Sequence, residues 1–122
     1  MTTFFYDSYA IIEFLNNNEK FTPYFVEHTG IITLLNLLEV YYSVLNEEGE
    51  EKANVVLQTL FPLIVQPNQN TIKNAMKFRQ LHKKRNLSYA DCLGYQVAKE
   101  KEIKFLTGDK EFKNLDNVEF VQ

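Results

Sequence analysis

One cysteine, three prolines, four glycines and no tryptophan occur in 122 residues. A lone Cys92 excludes an internal disulfide and fits a reducing compartment, so a cytoplasmic location is expected. So little Gly and Pro argues against a disordered or fibrous chain. No apolar run approaches the roughly 20 residues that a membrane-spanning helix needs, so no membrane span is expected. The opening TTFFYD is strand-like rather than basic and then apolar, so no signal peptide is expected either. The sequence has no internal repeat, low-complexity tract or linker, and no G-x-x-x-x-G-K-[ST] loop for nucleotide phosphates.

What is present favours a core. Hydrophobic residues make up 45% of the chain, with seven Tyr and ten Phe, enough apolar bulk for one domain spanning residues 1–122. Net charge is −3, which by itself speaks against a nucleic-acid partner. The distribution says more: residues 1–72 carry two basic and nine acidic side chains, whereas 73–122 carry eleven basic and seven acidic. A chain polarised in this way can hold a basic face, because steering depends on the local field.

Thr2 to Tyr6 is β-branched and aromatic without polar alternation, as in a strand buried on both faces. Asp7-Ser8 ends it, and Ala10, Ile11, Phe14 and Leu15 follow at helical spacing. A short helix is expected over 22–28, a strand over 30–33 and a long helix over 34–46. A further helix over 53–61 stops at Pro62, and Leu63-Ile64-Val65 reads as a brief strand closed by Pro67. Thr71 is a candidate cap for a helix running to about Lys84, with Ile72, Ala75, Met76 and the stem of Arg79 inward. Ala90, Leu93, Gly94, Val97 and Ala98 form an apolar helix stripe. Residues 103–106 and 118–121 are the last two strands. Strands alternating with helices predict a three-layer α/β/α sandwich around a mostly parallel sheet of four to five strands. Ligands of such sheets bind beyond the carboxyl ends of the strands.

Two acids fall at those ends. Asp7 follows the first strand and Asp109 the fourth, although Asp7 could merely cap a helix and Gly108-Asp109 could merely turn the chain. Asp91 lies three residues after Ser88, the spacing of a capping box, and Gly94 and Ala98 one and two turns on permit close packing. Glu39 shares a helix face with Asn36, Ser43 and Asn46, a stripe that also suits the solvated side of a helix. Four clustered carboxylates would repel one another unless cations neutralised them. Oxygen-only donors suit Mg²⁺ or Mn²⁺ and disfavour Zn²⁺; neither His28 nor His82 is near a candidate acid in sequence. One or two such ions can activate water for phosphodiester hydrolysis without a nucleophilic side chain, and none is evident. The basic cluster Lys77, Arg79, His82, Lys83, Lys84 and Arg85 precedes the Asp91 helix. Lys83, Lys84 and Arg85 are candidate phosphate contacts, which would position a strand without reading its sequence.

Four segments carry a family likeness: FFYDSYAIIEFL, ITLLNLLEVYYSV, LSYADCLGYQVAKEKEIKFLTGDKEF and the closing VEFV. Together they resemble the PIN-domain nucleases, especially the VapC-like toxins of toxin–antitoxin pairs. The third is the most specific, with L-S-x-x-D opening a helix and a strand running into T-x-D-x-x-F. The resemblance implies that Asp7, Glu39, Asp91 and Asp109 are catalytic and hold one or two Mg²⁺ or Mn²⁺ ions. It also implies that Ser8 and Thr107 orient those carboxylates. An endoribonuclease leaving 5′-phosphate and 3′-hydroxyl ends follows, with RNA as substrate, a homodimer as the common assembly and an antitoxin protein as partner. Two positions depart from the family: Tyr9 stands where relatives have Asn or Ser, and Ser43 where many have Gly. A non-catalytic PIN-fold subunit that binds RNA or protein is the rival reading. A flavodoxin-like or receiver domain, also acid-rich at strand ends, is a third, but it predicts a phosphate-accepting Asp and a Lys after a strand, a pair the sequence does not place convincingly.

Overall fold

The structure, a computed structural model, describes residues 1–122. The chain runs β1 (Thr3–Tyr6), α1 (Ser8–Leu15), α2 (Thr22–Val26), β2 (Thr29–Ile31), α3 (Leu34–Glu48) and α4 (Glu50–Leu60). A 3₁₀ turn over Phe61–Leu63 leads to α5 (Gln69–Leu81), α6 (Tyr89–Glu100), β3 (Lys104–Thr107), a second 3₁₀ turn over Lys110–Phe112, and β4 (Val118–Phe120).

The sheet order is β2-β1-β3-β4 and every pairing is parallel. β1 and β3 occupy the middle, which is why their sequences lack polar alternation. Phe4, Tyr6 and Leu106 join one core with Ile11, Phe21, Leu37 and Val40 from the α1–α4 side. Phe5 and Phe105 point the other way, into a second core with Cys92, Tyr95, Ala98 and Phe112. Their rings stack at 5.6 Å, and burying each contributes about 1.5–3 kcal/mol relative to exposure. The result is the three-layer α/β/α sandwich that the alternation of elements predicts.

The strand expected over Leu63-Ile64-Val65 does not form. Pro62 instead sits early in the Phe61–Leu63 3₁₀ turn, where its fixed φ is accommodated. Only Ile64 bridges to Ile32, in parallel, framed by Ile32 N–H to Leu63 O and Val65 N–H to Ile32 O. At α5 the cap is Asn68, not Thr71: Asn68 Oδ1 accepts from Thr71 N–H at 2.9 Å and from Thr71 Oγ1 at 3.0 Å. The helix stops at Leu81, short of Lys84. It packs on α6 through the face holding buried Thr71 and Ala75, which turns Ile72 outward rather than inward.

α6 opens with a reciprocal capping box between Ser88 and Asp91 and buries Ala90, Gly94, Val97 and Ala98, as its apolar stripe predicts. Gly94 is required for that packing. A Cβ there would lie 2.4 Å from Phe5 Cε1, far inside contact distance. The missing side chain brings α6 down onto β1 and so fixes how far Asp91 stands from the end of that strand.

Candidate active site

Asp7 is one residue past β1, and its N–H donates to Leu106 O at 3.1 Å, so the central ladder continues through it. It occupies the cap position of α1 with extended backbone, yet its side chain makes no capping bond. The carboxylate instead accepts from Thr107 Oγ1 at 2.7 Å. Only 2% of Asp7 is exposed. Burial, chiefly, with the negative charges of Asp91 and Asp109, pushes its carboxyl up to about 8, against the Thr107 and Ser8 hydrogen bonds.

Thr107 closes β3 and works in two directions. While its hydroxyl donates to Asp7, it accepts from Asp109 N–H at 3.0 Å. Asp109 Oδ1 then accepts from Glu111 N–H at 3.0 Å, starting the 3₁₀ turn whose Phe112 is wholly buried. Asp91 Oδ2 accepts from Ser88 N–H at 2.8 Å. Its carboxyl is also raised, mainly by burial and further by Asp109 and Glu39, while the Ser88 bonds oppose the shift. The capping role is therefore present, but it does not take Asp91 out of the field of the other acids.

Glu39 reaches the group through Ser8. Ser8 Oγ donates to Glu39 Oε1 at 2.6 Å and accepts from Asn36 Nδ2 at 3.1 Å. Asn36 is completely buried, and its Oδ1 accepts from both N–H and Oγ1 of Thr33. The polar stripe of α3 is thus not simply its solvated face, since Asn36 at one end lies inside and anchors Ser8. Asn36 belongs to the site and was not among the residues expected there.

None of Asp7, Glu39, Asp91 or Asp109 is in an ion pair; those present join Lys52 to Glu48 and Lys99 to Asp116. Nor do any three acid, His or Cys side chains close into a tight cation cage. Burial of unneutralised carboxylates with mutually raised protonation is nonetheless an arrangement that a divalent cation would relieve. Mg²⁺ keeps several waters and is held through one or two carboxylates, so a looser set of oxygens fits it.

The basic cluster is divided. Arg79 lies 4.3 Å over the Tyr89 ring and donates Nε–H to Leu87 O at 3.3 Å. His82 packs on Phe78. Arg85 Nη1 donates to Glu111 O at 2.6 Å, tying this loop to the turn that follows Asp109. Lys83 and Lys84 remain exposed beside it.

A parallel α/β/α domain with acids gathered beyond the carboxyl ends of its central strands defines the class. The PIN domain family matches residues 4–118, which include all four acids, and the chain belongs to that family. No curated protein matches it. Among solved structures it is similar to a toxin–antitoxin complex from Klebsiella pneumoniae, with 17% identity, TM-score 0.73, and 98% of this chain and 96% of that one covered. VapC20 of Mycobacterium tuberculosis, described as a sarcin–ricin loop cleaving toxin, gives 15% identity, TM-score 0.80, and coverage of 98% and 99%. DNA-bound VapBC from Salmonella typhimurium gives 15% identity, TM-score 0.70, and coverage of 98% and 97%. At these identities the shared property is the fold.

Proposed function

We propose that this PIN domain is a metal-dependent endoribonuclease, the toxin of a toxin–antitoxin pair, acting in the cytoplasm as a homodimer silenced by an antitoxin protein. The observation that carries the nuclease reading is the buried, unpaired Asp7 carboxylate within the field of Asp91 and Asp109. The toxin assignment draws on the solved neighbours named above.

Asp7, Asp91, Asp109 and Glu39 would hold one or two Mg²⁺ or Mn²⁺ ions. Such an ion supplies a more acidic water and charge neutralisation at phosphorus. The chain's own contribution is positioning. Thr107 fixes one Asp7 oxygen and the Asp109 backbone together, Ser88 fixes one Asp91 oxygen, and Ser8, held by Asn36, draws in Glu39. Lys83 and Lys84 offer phosphate contacts on the loop that Arg85 anchors near Asp109.

Purified protein with Mn²⁺ should cleave RNA, and an Asp7→Asn, Asp91→Asn double variant should not. Equal rates for the two would end the nuclease reading. The rival, a PIN-fold subunit that binds RNA or protein without turnover, is motivated by the bulky Tyr9 two residues after Asp7 and by the net charge of −3. Calorimetric titration without saturable Mg²⁺ or Mn²⁺ binding would decide for it.

A further inference from the structure

Four of the seven tyrosines have hydroxyls bonded within the protein: Tyr6 to Tyr24 O, Tyr24 to Glu119, Tyr41 to Asn54 and Tyr95 to Asp116. Tyr9 and Tyr89 are not tied in this way. They are 42% and 60% exposed, and each lies two residues from an acid of the site, Tyr9 after Asp7 and Tyr89 before Asp91. Each ring is nevertheless held from behind. Tyr9 lies against Gly108, where a Cβ would come within 2.5 Å of Tyr9 Cε1, and it tilts against buried Phe21 at 6.2 Å. Tyr89 carries the Arg79 guanidinium 4.3 Å from its ring centroid.

Where α3 meets α6, Tyr89 joins Leu35, Leu38, Glu39, Ser88 and Ala90 around a cleft of about 240 Å³. That is smaller than the roughly 300–1,000 Å³ of pockets for drug-sized ligands, so it suits a fragment such as a single base. One wall is Glu39, so the cleft adjoins the acid group. Tyr9 covers Gly108, the residue joining Thr107 to Asp109. Each ring thus lies beside an acid-bearing segment, Tyr9 against Gly108 next to Asp109 and Tyr89 in the cleft walled by Glu39.

We infer that Tyr9 and Tyr89 are base-stacking positions that grip unpaired nucleotides on either side of the phosphate over the acids, with the Tyr89 base entering the α3–α6 cleft. The inference rests on the nuclease reading for its placement of that phosphate. Stacking needs a free base face, which an unpaired strand offers and a duplex interior does not. Charge selects a polyanion over a protein segment here, because Arg79 backs one ring and Lys83 and Lys84 are exposed on the loop leading to it. Recognition of this kind is tolerant of sequence, since every base has a stacking face.

The test uses the full chain carrying Asp7→Asn, so that RNA stays intact, with Mg²⁺ and short single-stranded RNAs bearing one 2-aminopurine at successive positions. Quenching is expected at two positions separated by the would-be cleaved linkage. Tyr9→Leu and Tyr89→Leu should each relieve one of the quenches and weaken binding about 10- to 100-fold. Leu keeps apolar cover over Phe21, and Phe at either position should retain both signals. The same sequence in a duplex should bind at least about tenfold more weakly. Unchanged quenching in the Leu variants, or no saturable RNA binding, overturns the assignment. So does a Tyr89→Leu variant that changes only the sedimentation of the protein, which makes the cleft a protein contact. Cleavage by the wild-type protein is scored separately: quenching without cleavage defeats the nuclease reading and leaves the stacking assignment standing, and cleavage with unaltered Leu variants does the reverse.

Discussion

Thr107 donates its hydroxyl proton to Asp7 at 2.7 Å, joining residues one hundred positions apart in the chain. The same oxygen receives Asp109 N–H, so a single side chain sets both the first and the last acid of the site. Thr107→Val keeps the shape and removes the donor. Stability should fall by about 1–3 kcal/mol, since a buried acceptor is left without its partner. Cleavage should fall about 10- to 100-fold, and Thr107→Ser should recover much of both. A Val variant with unchanged melting and turnover would show that the bond does no positioning.

Asp7 gives an opposed pair of effects. Its folded-state carboxyl titrates near 8, above the ordinary value of 3.8, so the folded protein binds one more proton than the unfolded chain between those limits. The associated stability is present below pH 4 and is lost as pH rises through 8, at up to about 1.4 kcal/mol per pH unit. Asp7→Asn should flatten this slope in metal-free buffer, raise the melting temperature at pH 8 and abolish cleavage. A variant that melts lower than the parent at pH 8 would contradict the burial of an unneutralised charge.

A cation competing with that proton should bind more tightly at higher pH. Calorimetric Mg²⁺ or Mn²⁺ affinity is expected to rise from pH 6 to pH 8, with proton release detectable as a dependence of the heat on buffer ionisation. An affinity flat across that range would place the ion away from Asp7.

Ser8→Ala separates the α3 arm from the rest. It removes the acceptor of the wholly buried Asn36 amide and the donor to Glu39. A loss of about 1–3 kcal/mol is expected from the unsatisfied amide, with activity reduced about 10- to 100-fold. Adding Asn36→Leu should destabilise further, because it also strips the buried Thr33 N–H and Oγ1 of their acceptor. A Ser8→Ala variant that melts and cleaves like the parent would show that the network does no positioning.

Gly94→Ala tests the packing that sets Asp91. The added Cβ would overlap the Phe5 ring, itself stacked on Phe105, so α6 must lift or the rings must turn. Overpacking of this kind costs about 1–3 kcal/mol, and a melting curve matching the parent's would show that the interface yields freely.

Much of this was readable in the residues. β1 and β3 announce themselves because strands buried on both faces need unbroken apolar runs, and an acid directly after such a run stands at a strand's end. Leu63-Ile64-Val65 has the same apolar look, but Pro62 inside a 3₁₀ turn leaves only Ile64 to pair. Asn68 and Thr71 are both cap-type residues, and spacing alone does not say which one starts the helix. Asn36 was hidden for a deeper reason. A polar residue on a polar stripe reads as solvated, and only the docking of α1, which brings Ser8 to it, puts that end of the stripe inside.

The Thr107–Asp7 bond also dictates when the site exists. During synthesis, residues near the amino end emerge first and domains fold as units. The central strand β1 therefore waits without its β3 neighbour until nearly the whole domain has left the ribosome, and Asp7 has neither Asp91 nor Asp109 beside it before then. A nascent chain therefore holds no assembled acid group until β3 has emerged.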